Sequence, residues 1–202
     1  MILPVKRANV HYSWFGNGTI TRIIVCGLLP RGKGIYNSQT GRIDTNFLTA
    51  RNSLTQRTIG PVCSGTVSLD ISKMKDGDFA GLGLLQKKYG LAGVKITGDS
   101  KAIVMINAST GKPEEAQKIP LNQKVVYFKA ECNFINRKDV ADFFYSLDGK
   151  TWIPLGTQLK MAYTFPHFMG YRFALFNYAT KNIGGAADFD FFHITGSISL
   201  GK

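Results

Sequence analysis

The chain has 202 residues, of which 44% are hydrophobic, 12% aromatic and 19% charged, with 22 glycines. That length suits one domain, or one domain with an appendage, and the glycine and aromatic content favours all-β over helical structure. A formal charge of +12 raises nucleic acid as a partner, but the lysines and arginines are scattered rather than clustered among aromatics, so none is expected.

Residues 1–39 stand apart. Six basic residues and no acidic one precede Asp44. The run Ile23-Ile24-Val25, between glycine, proline and arginine, follows neither the helical nor the strand period. Ile23 to Leu29 is too short to span a bilayer and lacks the layout of a signal peptide, so no membrane partner is expected. Where the protein acts stays open.

From Thr40 the pattern becomes regular. "SGTVSLD" alternates, with Val67 and Leu69 on one face and Thr66, Ser68 and Asp70 on the other. "MKDGD" turns at Asp76-Gly77. "FAGLGLLQKKYG" predicts a strand whose glycines admit close neighbours. "AGVKITGDSKAIVMIN" predicts a hairpin turning at Gly98-Asp99-Ser100, and "TGKPEEAQK" a solvated loop holding Glu114 and Glu115. "KVVYFKAECNF" is a long strand. "VADFFYSLDGKTWIPLG" is a hairpin closed by Asp148-Gly149. "GYRFALFNYA" and "AADFDFFHITG" are the last strands; strict alternation in the second puts Phe189 and Phe191 on one face and Asp188, Asp190 and Phe192 on the other. No segment sustains a helical period. The expected fold is an all-β, antiparallel β-sandwich over 40–202.

Catalytic equipment is sparse. Glutamate occurs only at Glu114, Glu115 and Glu131, and no nucleophile elbow, zinc-binding helix or phosphate loop is present. Cys26, Cys63 and Cys132 have no metal-ligand spacing and read as buried free thiols. Asp188 and Asp190 are the exception, because carboxylates inside an aromatic strand need a partner. An arginine, backbone amides or a hard cation such as Ca²⁺ would serve, the last making Asp188 and Asp190 candidate metal ligands. Trp152, Tyr163 and Tyr178 are the candidate rings for stacking on a sugar.

Between Thr40 and His193, the run Arg51 to Arg57, "SGTVSLD", "MKDGDFAGLGLLQ", "FFYSLDGKTWIPLG" and "GYRFALFNYATKNIGGAADFDFF" resemble the C-terminal module of family 43 glycoside hydrolases, the β-xylosidase and α-arabinofuranosidase group. The resemblance implies a concanavalin A-like jelly roll that follows a catalytic five-bladed propeller. In those enzymes the propeller carries the carboxylates of an inverting glycosidase, and the sandwich packs against it and helps complete the substrate pocket. No catalytic residue is therefore expected in this chain, and no cofactor is required beyond a weak structural Ca²⁺. The implied partners are the propeller and a xylan or arabinoxylan oligosaccharide, and the parent enzyme would be secreted or periplasmic. A free-standing carbohydrate-binding module is the alternative, and a basic nucleic-acid binder a more distant one.

The resemblance also bears on residues 1–39. The family module opens on a Trp- and Asn-rich stretch that is missing here. Back-translated and read one base earlier, Phe15 to Gly27 permits Trp-Gln-Trp-Asn-His-Asn-Pro-Asp-Asn-Ser-Leu-Trp, which matches that opening. Residues 1–39 are thus expected to be largely an out-of-frame reading of the family's first strands. The family frame resumes near Gln39-Thr40, and the alternative is a divergent arm.

Overall fold

The computed structural model describes residues 21–23, 36–163 and 169–199. In chain order its strands are β1 (Thr21–Ile23), β2 (Tyr36–Gln39), β3 (Ser53–Arg57), β4 (Val62–Asp70), β5 (Asp78–Leu85), β6 (Gly90–Thr97), β7 (Ser100–Asn107), β8 (Glu114–Pro120), β9 (Val125–Asn133), β10 (Val140–Ser146), β11 (Ile153–Lys160), β12 (Arg172–Ala179) and β13 (Ala186–Thr195). The only helical pieces among the described residues are two short 3₁₀ turns, Phe47–Thr49 and Ile135–Arg137. No helix there is long and apolar enough to cross a membrane.

The strands form two sheets, one in the order β1-β3-β12-β5-β6-β7-β8 and the other β11-β10-β9-β4-β13-β2. Pairing is antiparallel except between β1 and β3. This is the expected sandwich. Its main core lies between the sheets: Leu82, Leu84, Phe173 and Leu175 from one meet Val67, Leu69, Phe128 and Phe189 from the other. Each such side chain contributes about 1.5–3 kcal/mol by leaving water.

The seven-stranded sheet is buried on its other face too. Successive side chains alternate between faces, and Phe79, Leu91, Val104, Phe176 and Tyr178 alternate with the inter-sheet residues. They form a second apolar cluster with Phe47 and Ala50. Every residue of β5 and β12 is consequently buried. Burial on both faces explains why "FAGLGLL" and "RFALFNYA" read as continuous apolar runs. The glycines of β5 and β6 serve close approach: Gly81 faces Gly93, and a Cβ on either would lie 2.2 or 2.3 Å from the carbonyl oxygen of Ala92 or Ala80.

The turns at Gly77, Gly98 and Gly149 adopt positive φ, as their sequences predict. Cys63 and Cys132 are buried free thiols, directly opposite one another on β4 and β9; Cys26 lies outside the described residues.

Two expectations are corrected. Glu114 and Glu115 do not sit in a loop but begin β8, an edge strand whose largely exposed side chains give no apolar alternation to detect. In β13 the alternation breaks, because the register with β4 shifts between Phe189 and Phe192. An irregularity of this kind reverses facing beyond it. Phe192 therefore packs on the inter-sheet core, edge-on to Phe173, whereas Phe191 lies beside Tyr127 and His193 on the outer face of the six-stranded sheet.

β1 and β2 both occupy sheet edges. β2 pairs in register with β13 from Tyr36↔Phe189 to Gln39↔Ala186. The remainder of the expected out-of-frame segment lies outside the described residues.

Candidate functional site

The three candidate sugar-stacking rings do not share a platform. Tyr178 is 8% exposed in the outer cluster of the seven-stranded sheet, with its ring against Phe79 at 5.8 Å and Phe176 at 6.0 Å. Burial, with Tyr89 and Asp44 nearby, pushes its hydroxyl well above the ordinary phenolic range. Trp152, half-buried after the β10–β11 turn, covers the outer face of the other sheet. Tyr163 follows β11 and is 64% exposed.

Trp152 belongs to a charged cluster. Lys129 Nζ lies 5.0 Å from the Trp152 ring centroid and 4.6 Å from that of Phe144. It pairs with Glu131 Oε1 at 2.7 Å, and the two side chains are only 10% and 7% exposed. Ser199 closes the pair: its N–H and Oγ donate to Glu131 Oε1 at 3.1 and 2.7 Å, and its Oγ accepts from Lys129 Nζ at 2.9 Å. The Lys-Ala-Glu spacing at 129–131 inside an apolar strand is the sequence signal that could have revealed it, since period two puts both charges on one face.

The candidate metal ligands are placed as follows. Asp188 accepts from Lys73 Nζ at 2.8 Å and from Asn37 Nδ2 at 2.5 Å. Burial pushes its carboxyl up, but Lys73 and Asn37 outweigh it and hold it below its usual value. Asp190 is half-buried two residues on. No group of three metal-ligating side chains forms among the described residues. A hard cation wants several oxygen ligands, and among the described residues Asp188 meets an ammonium group and an amide. The further ligands that the family resemblance would place in the first residues lie outside the described region.

A polar cleft of about 290 Å³ opens where the segment 39–44 passes Arg51, Asn52, Asn177 and Tyr178. Backbone bonds fix that segment: Thr40 N–H donates to Gly185 O and Asp44 N–H to Ala179 O, both at 2.8 Å. Two amides hold its start. Asn52 Nδ2 donates to Ser38 Oγ at 2.7 Å and to Gln39 O at 2.8 Å, and Asn177 Nδ2 to Ser38 O at 2.6 Å. Asp44, 4% exposed, carries an ion pair with the more open Arg42. Asn177 is fully buried, and its Oδ1 has no hydrogen-bond partner. No local motif announces this cleft, because its walls come from positions more than a hundred residues apart.

Comparison with known proteins is consistent with this architecture. Residues 37–195 match the family described as the β-xylosidase C-terminal concanavalin A-like domain. Among solved structures, a bifunctional GH43-CE protein of Bacteroides eggerthii is 61% identical, with a TM-score of 0.81 over 85% of this chain and 22% of its own. A GH43 glycoside hydrolase engineered to display both endo-xylanase and exo-arabinofuranosidase activity is 28% identical, with a TM-score of 0.77 over 85% of this chain and 36% of its own. The GH43 protein BlXynB of Bacillus licheniformis, 23% identical with a TM-score of 0.69, shares the fold. A comparison with curated proteins returned no match. The chain spans 22% of the first solved structure and 36% of the second. With that family matched from residue 37 to residue 195, the chain belongs to the β-xylosidase C-terminal concanavalin A-like domain family, the C-terminal module of family 43 glycoside hydrolases.

Proposed function

We propose that this chain is the non-catalytic β-sandwich of a family 43 glycoside hydrolase of the xylosidase or arabinofuranosidase type. It supports a five-bladed catalytic propeller and helps complete its substrate pocket during breakdown of a plant polysaccharide such as arabinoxylan. The observation that carries the reading is the 61% identity to a stretch amounting to 22% of a much longer GH43 protein. Four of the carboxylates are engaged within the fold. A glycosidase needs two facing carboxyl groups about 5–10 Å apart across an open cleft. Here Asp188 is tied to Lys73, Glu131 to Lys129 and Asp44 to Arg42, while Asp148 caps its own turn through Lys150 and Thr151.

The test is reconstitution. The propeller part of the Bacteroides eggerthii protein, expressed without its sandwich, is mixed with the 202-residue chain. Co-elution and a gain in aryl xyloside or aryl arabinofuranoside hydrolysis are expected, with no turnover by the chain alone. Failure to associate, or turnover by the chain alone above a heat-killed control, overturns the proposal.

A further inference from the structure

We propose that Arg57 and Arg172 form a receptor for one carboxylate group, presented by an aspartate or glutamate side chain of the catalytic propeller. This rests on the supporting role proposed above, and adds the face that docks and the charge it requires.

The sheet sets the two arginines side by side. Arg57 on β3 and Arg172 on β12 are directly paired, so their side chains leave the same face of the seven-stranded sheet, where like charges opposite one another are destabilising. Arg172 is also only 8% exposed. Burial, and after it the charge of Arg57, lower the proton affinity of its guanidinium, though the group remains a cation.

Neither arginine finds a counter-charge among the side chains of this chain. All thirteen acidic residues fall among the described residues, and those in ion pairs meet Arg42, Lys73, Lys129 and Lys181. The Arg172 side chain donates from Nε to Met169 Sδ at 3.2 Å, a weak acceptor. Its two Nη groups have no hydrogen-bond partner among the described residues, and neither is closed off from solvent. A buried charge is ordinarily paired, so the missing anion comes from outside.

The surroundings fit a protein side chain better than a free ion. Arg57, Thr58, Met169, Gly170, Tyr171 and Arg172 line a cleft of about 320 Å³. At its margin stands the open Tyr163, whose ring lies 3.9 Å from the position a Cβ on Gly170 would take, and Ile59, next to Thr58, is also exposed. Open apolar and aromatic side chains around arginines are the composition of an interface. A carboxylate matches the planar guanidinium fork with two hydrogen bonds. The relative at 61% identity is far longer, this chain covering 22% of it, and its further domain is the source of the acid.

The experiment measures association of the 202-residue chain with the propeller part of the Bacteroides eggerthii protein, by calorimetry at low salt. R57M and R172M should each weaken association about ten- to hundred-fold, the effect of one charge-assisted contact. The double variant R57M/R172M should lose most of the parent's salt dependence. Without the propeller, the R172M chain should melt no lower than the parent, because the substitution removes a buried charge that has no partner there. Sodium acetate and sodium phosphate should bind the chain at least about a hundred-fold more weakly than the propeller does. Single variants that associate as the parent does, an R172M chain that melts several degrees lower, or acetate or phosphate binding as tight as that of the propeller would each overturn this proposal and leave the supporting role standing. Absence of association by the parent chain overturns both.

Discussion

Glu131→Gln tests how much the outer face of the six-stranded sheet depends on one buried charge. The substitution keeps the shape, and the new side-chain amide would still offer an oxygen to Ser199. It removes the negative charge 2.7 Å from Lys129 Nζ, in a pair whose side chains are 10% and 7% exposed. Removing one partner of a buried pair costs about 3–5 kcal/mol, because the survivor is left charged and desolvated. The rings of Phe144 and Trp152, 4.6 and 5.0 Å from the ammonium, remain and offset about 1–2 kcal/mol of this. The expected loss is therefore about 1–4 kcal/mol, or roughly 2–16 °C in melting temperature for a chain of this size. Lys129→Met should cost a similar amount, while the double variant K129M/E131Q should recover much of it, because no uncompensated charge remains. Urea unfolding followed by circular dichroism gives the three free energies. Single variants that each cost less than about 0.5 kcal/mol would show that the pair behaves as a solvated surface bridge, and would refute the reasoning.

Gly81→Ala and Gly93→Ala should each destabilise by about 3 kcal/mol or more, because the new methyl meets backbone rather than a side chain that can move. Gly41→Ala, with nothing within 4 Å of its Cβ, should melt close to the parent, and equal melting of all three would contradict the close-approach argument. Burial raises the Asp78 carboxyl despite Lys75. With the folded value raised, its contribution is full below the unfolded carboxylate range, near pH 4, and is lost as pH rises through the folded value. Asp78→Asn should therefore gain stability over the parent at about pH 7 and not at about pH 3, and the reverse order in paired melts would exclude burial as the cause. Restoring one base near codon 39 and extending the frame upstream should raise melting temperature and solubility, if residues 1–39 are the out-of-frame opening of the module; unchanged values would favour a divergent arm.

The parts of the fold that could be read in sequence are those where side-chain period and turn chemistry agree. The β10–β11 hairpin is legible because Asp148-Gly149 interrupts two apolar arms, and β4 because Val67 and Leu69 alternate with polar neighbours. β8 is not, since an edge strand exposed along most of its length has nothing apolar to alternate. The irregularity in β13 is hard to read for a different reason: Asp188-Phe189-Asp190-Phe191 keeps a period of two, and only the Phe191-Phe192 doublet interrupts it. Residue type alone does not separate the open Tyr163 from Tyr178, which lies between Phe79 and Phe176. The cleft at Asn177 escaped because its chemistry depends on which strands become neighbours. Asn52 and Asn177 meet only when β3 and β12 pair.

The polar character of β8, which hid it from the periodicity argument, bears on how the molecule behaves among its own copies. β8 is the outermost strand of a seven-stranded sheet, the place where another chain could continue the ladder and begin a fibre. Glu114, Glu115 and Lys118 put charge of both signs along that margin, and Pro120 ends it without an N–H to offer. An incoming identical strand would have to desolvate those charges and would find one donor missing. Exchanging Glu115 and Lys118 for threonine would leave the fold's interior untouched, yet would open this margin to self-association, visible as concentration-dependent light scattering.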